Sequence, residues 1–128
     1  MTEAAFDLED QPVRDGTIRI HAPEDFEGMR AAGQLSARAL DMLTEFVAPG
    51  VTTQQIDDKV RAFFLEHGAV PATLFYRGYT KSSCTSINHV VCHGIPNDKP
   101  LKEGDIVNID VTCVLDGWHG DTLSLIHI

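Results

Sequence analysis

The chain predicts an α+β fold, with helices packed on one face of an antiparallel sheet, and three observations carry that prediction. Two segments with helical spacing come first, between residues 23 and 67. Short β-type runs punctuated by glycine, proline and asparagine follow, with no helical period. The third is the stretch N-I-D-V-T-C-V-L-D-G-W-H-G-D-T over 108–122, two β-rich arms around Asp116-Gly117. An Asp-Gly pair suits a type I′ hairpin turn, because both central residues of that turn need positive φ.

The first helix opens at Pro23, whose missing N–H costs nothing in a first turn, and Glu24 and Asp25 favour the positive end of its dipole. Phe26, Met29, Gly33, Ser36, Leu40, Leu43 and Val47 recur at helical spacing and read as its core stripe, until Pro49-Gly50 stops the run. Thr52 with Gln55 forms a capping box for the second helix. Its stripe is Ile56, Val60, Phe63 and Phe64, and Gly68 suits the C-terminal cap. His67 reads as a helix-end or surface residue, and His21 has no partner in sight. Strands are expected over 69–75, 85–92 and 106–115, joined by turns at Pro96-Asn97-Asp98 and Glu103-Gly104.

In the hairpin, a two-residue loop sets Leu115 opposite Trp118 and Thr112 opposite Asp121, with Asp110 diagonal to Asp121. Side chains alternate along a strand, so Asn108, Asp110, Thr112, His119 and Asp121 share one face. Val107, Ile109, Val111, Cys113 and Leu115 form the other, a core face. Diagonal residues in an antiparallel pair sit roughly 7–8 Å apart at their bases. Two carboxylates so placed can converge on a dinuclear metal centre, whose ions lie about 3.5–4 Å apart. By periodicity alone such a pair is more often two solvated aspartates, and Asp121 can also read as a turn or cap residue. Asp105 and Asp116 fit turn chemistry.

Composition narrows the class. The chain has 128 residues, enough for one domain with a modest core, and 43% are hydrophobic. A net charge of −9 with no Lys/Arg cluster argues against nucleic-acid binding. No apolar run approaches the ~20 residues of a membrane span. The start, M-T-E-A-A-F-D, lacks the basic flank and apolar stretch of a signal peptide, and residues 1–16 read as an acidic, disordered lead-in. Three cysteines, Cys84, Cys92 and Cys113, without a C-x-x-C pair, suggest reduced thiols in the cytoplasm.

Three stretches together carry a family resemblance: Y-R-G-Y-T-K-S-S-C-T-S-I-N-H-V-V-C-H-G-I-P over 76–96, L-K-E-G-D-I-V-N-I-D-V over 101–111, and D-G-W-H-G-D-T over 116–122. The chain from 17 to 122 resembles type I methionine aminopeptidases. The resemblance implies the N-terminal half of a pita-bread fold, two α/β halves related by approximate two-fold symmetry, of which this chain carries the first. It implies metal-dependent removal of the initiator methionine from nascent polypeptides by the full-length, monomeric, cytoplasmic enzyme. Whether that enzyme docks on the ribosome is left open. Two divalent ions are implied, with Asp110 binding one and Asp121 bridging both. A later histidine and two glutamates would complete the set, so this chain alone is expected to be inactive. Oxygen ligands of this kind suit Co, Mn, Fe(II) or Zn.

By the same resemblance, His93 of H-G-I-P hydrogen-bonds the substrate backbone near the scissile bond and helps stabilise the tetrahedral species. Tyr76, Tyr79 and Cys84 match the methionine side-chain pocket. Thr73 stands where a cysteine is common, and Phe75 replaces a common glycine beside Tyr76. His89 has no assigned role, and His119 is placed for either a supporting or a merely exposed one. Residues 123–128, L-S-L-I-H-I, read as the in-frame translation of a transposon-end sequencing adapter and are set apart from the fold, with no role for His127. Two other readings stand beside the aminopeptidase: a related proline-specific aminopeptidase, disfavoured by the text over 85–96, and a non-catalytic binding module, disfavoured because both aspartates are present.

Overall fold

A computed structural model describes Gly16 and residues 18–128, so all but Gly16 of the lead-in over 1–16 lies outside the described residues. Helices α1 (Pro23–Thr44) and α2 (Thr53–Glu66) precede strands β1 (Val70–Pro71), β2 (Cys84–Ile87), β3 (Ile106–Leu115) and β4 (Trp118–His127). Every pairing is antiparallel, and β3 is central: β4 lies along one edge, β2 and β1 along the other. The expected α+β arrangement, helices on one side of a sheet, is what forms. Among the described residues no helix is long and apolar enough to cross a membrane.

The helix starts follow their sequence signals. The Asp25 carboxylate accepts the Ala22 N–H at 2.9 Å, satisfying a donor that the alanine cap cannot. At α2 the reciprocal box is complete: Thr52 Oγ1 accepts the Gln55 N–H at 3.1 Å, and Gln55 Oε1 accepts the Thr52 N–H at 2.9 Å. His67 caps the far end, exposed, with its ring on the Phe63 carbonyl and Arg38 beside it. His21 does find partners: Asp25 at 3.3 Å and an edge-on contact with the Trp118 ring.

The buried face of α1 differs from the expected stripe. Ala32, Leu35, Ser36, Ala39 and Leu43 are buried, whereas Phe26 and Met29 are 52% and 50% exposed. Close approach to the sheet decides this. Gly120 on β4 lies so near α1 that a Cβ there would meet Ala32 backbone atoms at 2.2 Å, which only small helix residues permit. The Ser36 hydroxyl donates to the Gly120 carbonyl at 2.7 Å, and the Cys113 thiol to the Ala32 carbonyl at 3.3 Å. Beneath the helices, Val107, Ile109, Val111 and Cys113 complete the core with Ile56, Val60 and Phe64.

Two strands are shorter than expected. The run over 69–75 keeps only Val70–Pro71, and from Leu74 the backbone turns back, its N–H on the Pro71 carbonyl. The run over 85–92 ends at Ile87 because Asn88 goes left-handed (φ 53), and its amide accepts from the Ile106 N–H and donates to Asp105. β4 is longer: residues 123–127, set apart at the sequence level, pair with β3 as far as Ile106 opposite His127.

Candidate functional site

The hairpin turn forms as its residues require, with Asp116 at φ 50 and Gly117 at φ 82. Thr112 therefore faces Asp121, Asp110 faces Leu123, and the two aspartates stand diagonally on the sheet face away from the helices. They interact. Burial pushes the Asp110 carboxyl above its ordinary range, the Asp121 charge and a shared hydrogen bond raise it further, and His93 draws it back down. Asp121 is also fixed from beside, its Oδ1 accepting the Thr112 hydroxyl at 2.7 Å.

Two adjacent hard-oxygen groups fit a divalent cation, which would relieve the cost of charge on Asp110. Among the described residues, no group of three His, Cys, Asp or Glu side chains could hold a metal ion. Two carboxylates alone would leave such a cation incompletely held.

Next to the pair, Cys84 on β2 is the cross-strand partner of Asp110. With Thr73, Tyr76, Tyr79 and His93 it lines a cavity of about 310 Å³. Four of these five were named from sequence as substrate-contacting residues, and Thr73 was noted as a departure. Phe75 is not in the lining. It takes the left-handed conformation at φ 68, ψ 0, which explains why a glycine suits that position. The Tyr79 hydroxyl donates to the Ser83 carbonyl at 2.7 Å and lies 3.7 Å from Cys84 Sγ. Burial pushes both the Tyr79 phenol and the Cys84 thiol up. Cys84 is therefore a neutral wall of the cavity and a poor nucleophile.

His93 reaches the cavity from a strained turn, at φ 55. The next residue explains the geometry. Gly94 packs so tightly on β2 that a Cβ would stand 2.0 Å from the Thr85 carbonyl oxygen. Its own carbonyl accepts the Thr85 N–H at 2.8 Å and its N–H reaches Ser86 Oγ at 3.0 Å. This bare-backbone contact locks the loop and delivers the histidine. Asp105 behaves as a turn residue, accepting the Lys102 N–H at 2.9 Å. All three cysteines are free.

Known proteins resemble this chain in sequence and fold. Residues 27–128 match the family model of metallopeptidase family M24. The methionine aminopeptidase of Rickettsia prowazekii is 60% identical over 112 residues, 88% of this chain and 43% of that protein. That of Escherichia coli is 56% identical over 110 residues, 84% of this chain and 42% of that protein. The Rickettsia prowazekii crystal structure superposes with a TM-score of 0.85 at 59% identity, covering 87% of this chain and 45% of that one. The chain thus spans less than half the length of these relatives, and its helices and sheet are part of the pita-bread α+β fold. On the family match over most of its length, the chain belongs to metallopeptidase family M24.

Proposed function

We propose that the full-length protein removes the initiator methionine from nascent polypeptides by metal-dependent hydrolysis. The observation that carries this reading is the adjacency of cavity and carboxylates: Cys84 in the wall pairs directly with Asp110, and His93 faces both. A cavity of about 310 Å³ is at the small end of the roughly 300–1,000 Å³ of ligand sites, suited to one side chain. Aromatic rings and a neutral thiol suit a flexible thioether.

In this reading Asp110 and Asp121 hold divalent ions, two when the site is complete, from among Co, Mn, Fe(II) and Zn. The ions, when bound, activate water and polarise the scissile carbonyl. The chain's own groups do the rest. Tyr76, Tyr79, Cys84 and Thr73 enclose the methionine side chain. His93 donates a hydrogen bond to the substrate backbone at the reacting carbon. His119, exposed on the hairpin, has no part in the reading. The remaining ligands come from sequence beyond residue 122, with residues 123–128 read as adapter-derived. A cytoplasmic monomer acting on emerging chains suits this role.

The test is to restore the reading frame and assay a Met-Ala-Ser peptide with added Mn or Co. Metal-dependent methionine release supports the proposal. Cleavage of a Met-Pro peptide but not of Met-Ala-Ser would move it to a proline-specific relative. Metal binding without any hydrolysis would make it a binding module.

A further inference from the structure

The cavity wall hangs from a residue that touches neither substrate nor carboxylate pair. Asp57, on the second turn of α2, is 3% exposed and belongs to no ion pair among the described residues. Its Oδ1 accepts two hydrogen bonds, from the Ser82 N–H at 2.9 Å and from the Ser83 hydroxyl at 2.5 Å. Ser83 in turn offers its carbonyl to the Tyr79 hydroxyl, and Cys84 follows it directly. The chain of contacts runs from helix to carboxylate, to loop, to both side chains of the wall. Neighbouring α2 residues repeat the pattern. Gln54 Oε1 accepts from Lys81 at 2.5 Å, and the Thr53 hydroxyl and Gln54 N–H both engage the Asn97 carbonyl, four residues past His93.

We propose that Asp57 is a positioning residue: by clamping Ser82 and Ser83 to α2, it sets where Tyr79 and Cys84 stand and so shapes the cavity. The clamp is a geometric assignment. That the cavity takes a methionine side chain rests on the function proposed above. Burial pushes the Asp57 carboxyl up despite the two donors, and the clamp is made through one acceptor oxygen, Oδ1. The Ser82 hydroxyl is buried without a hydrogen-bond partner, so the loop is held through backbone and Ser83.

The test reads Cys84 directly. With Cys92 changed to serine, Cys84 is the one half-buried thiol, and buried Cys113 reports the core. Iodoacetamide alkylation of both is followed by mass spectrometry. Asp57→Ala leaves two buried donors unpaired and should speed Cys84 alkylation by about tenfold or more while Cys113 stays protected. Asp57→Asn keeps Oδ1 and Ser82→Ala loses no bond, so both should stay within about twofold of wild type. Unchanged Cys84 labelling in Asp57→Ala overturns the proposal, as does faster labelling in Ser82→Ala equal to that in Asp57→Ala. If Asp57→Ala exposes Cys113, Ser83→Ala decides: faster Cys84 with Cys113 protected supports the clamp, and no change overturns it. In the restored full-length protein, Asp57→Ala should raise KM for Met-Ala-Ser with metal affinity unchanged. A wild-type protein that releases no methionine would defeat the functional reading and leave the labelling result intact.

Discussion

Gly120→Ala and Gly33→Ala are the same chemical change at neighbouring positions, and the structure assigns them opposite signs. At Gly120 a Cβ would lie 2.2 Å from the Ala32 carbonyl carbon and oxygen and 2.6 Å from the Gly33 nitrogen. Those are helix backbone atoms that cannot rotate away, so α1 must withdraw from the sheet by ~1 Å to restore ordinary contact. Withdrawal stretches the Ser36–Gly120 hydrogen bond at 2.7 Å and the Cys113–Ala32 contact at 3.3 Å. Overpacking of this kind costs about 1–3 kcal/mol, and the loss of a buried hydrogen bond adds about 1 kcal/mol. We expect about 3 kcal/mol of destabilisation. At Gly33 nothing lies within 4 Å of the added methyl, and alanine in a helix interior stabilises by about 0.5–1 kcal/mol.

Urea unfolding followed by far-UV circular dichroism measures both. With slopes of about 1–3 kcal/mol/M, Gly120→Ala should lower the midpoint by about 1–3 M, and Gly33→Ala should raise it slightly. Gly120→Ala within 0.5 kcal/mol of wild type, on the order of an ordinary surface substitution, would refute the close helix–strand packing. Equal destabilisation by both would place the cause in α1 itself.

Asp110→Asn should weaken Mn or Co binding in the restored protein by more than the ~10–100-fold typical of a supporting residue. In metal-free protein it should hold or raise stability at neutral pH, because it removes one of two repelling carboxylates; wild-type metal stoichiometry and turnover would sink the ligand assignment. His93→Ala should lower kcat by about 10²–10³ with metal affinity kept, as for loss of one transition-state donor; equal loss of both would mark His93 as a ligand. The 128-residue chain should release no methionine from Met-Ala-Ser with either metal, since two carboxylates on one hairpin do not close the site; metal-dependent release would overturn that. Asp57, facing Ser82, Ser83, Lys81 and Asp58, has a folded pKa above its ordinary 3.8. The folded chain therefore holds this proton more tightly than the unfolded one. Its contribution is fully present below 3.8 and lost as pH rises through the folded value. The stability of wild type relative to Asp57→Asn should fall across that window, and a difference that grows with pH would contradict the burial argument.

The parts of the site legible in sequence are those set by local rules. Asp116-Gly117 selects its turn, the turn sets the register, and the register puts Asp110 diagonal to Asp121. The Thr52–Gln55 box likewise needs nothing beyond four residues. What failed depended on distant partners. Phe26 and Met29 have the spacing of core residues, but the helix face that reaches the sheet is chosen by Gly120, far along the chain. The strand over 69–75 ends after Pro71, where the chain turns back before Phe75 and Arg77 take positive φ, a conformation with no signature in either residue. Thr73 reached the cavity list only as a departure from a family pattern. Asp57 was not singled out, because its partners lie 25 and 26 positions away.

These long-range contacts share a direction. Several elements of the site are tied to the helical layer behind it. Gly120 seats β4, and with it Asp121, against α1. Asp57 holds the loop of Tyr79 and Cys84 to α2, and Thr53 and Gln54 hold the segment after His93 to the same helix. The sheet contributes the remaining link through Cys84 opposite Asp110 and Gly94 against Thr85. A site built this way has its geometry set by packing behind it, before any substrate arrives, as preorganised catalysis requires. It follows that substitutions on the buried side, at Gly120 or Asp57, should alter substrate handling and stability together. Substitutions of Asp110 and Asp121, on the sheet face away from the helices, should act first on metal binding.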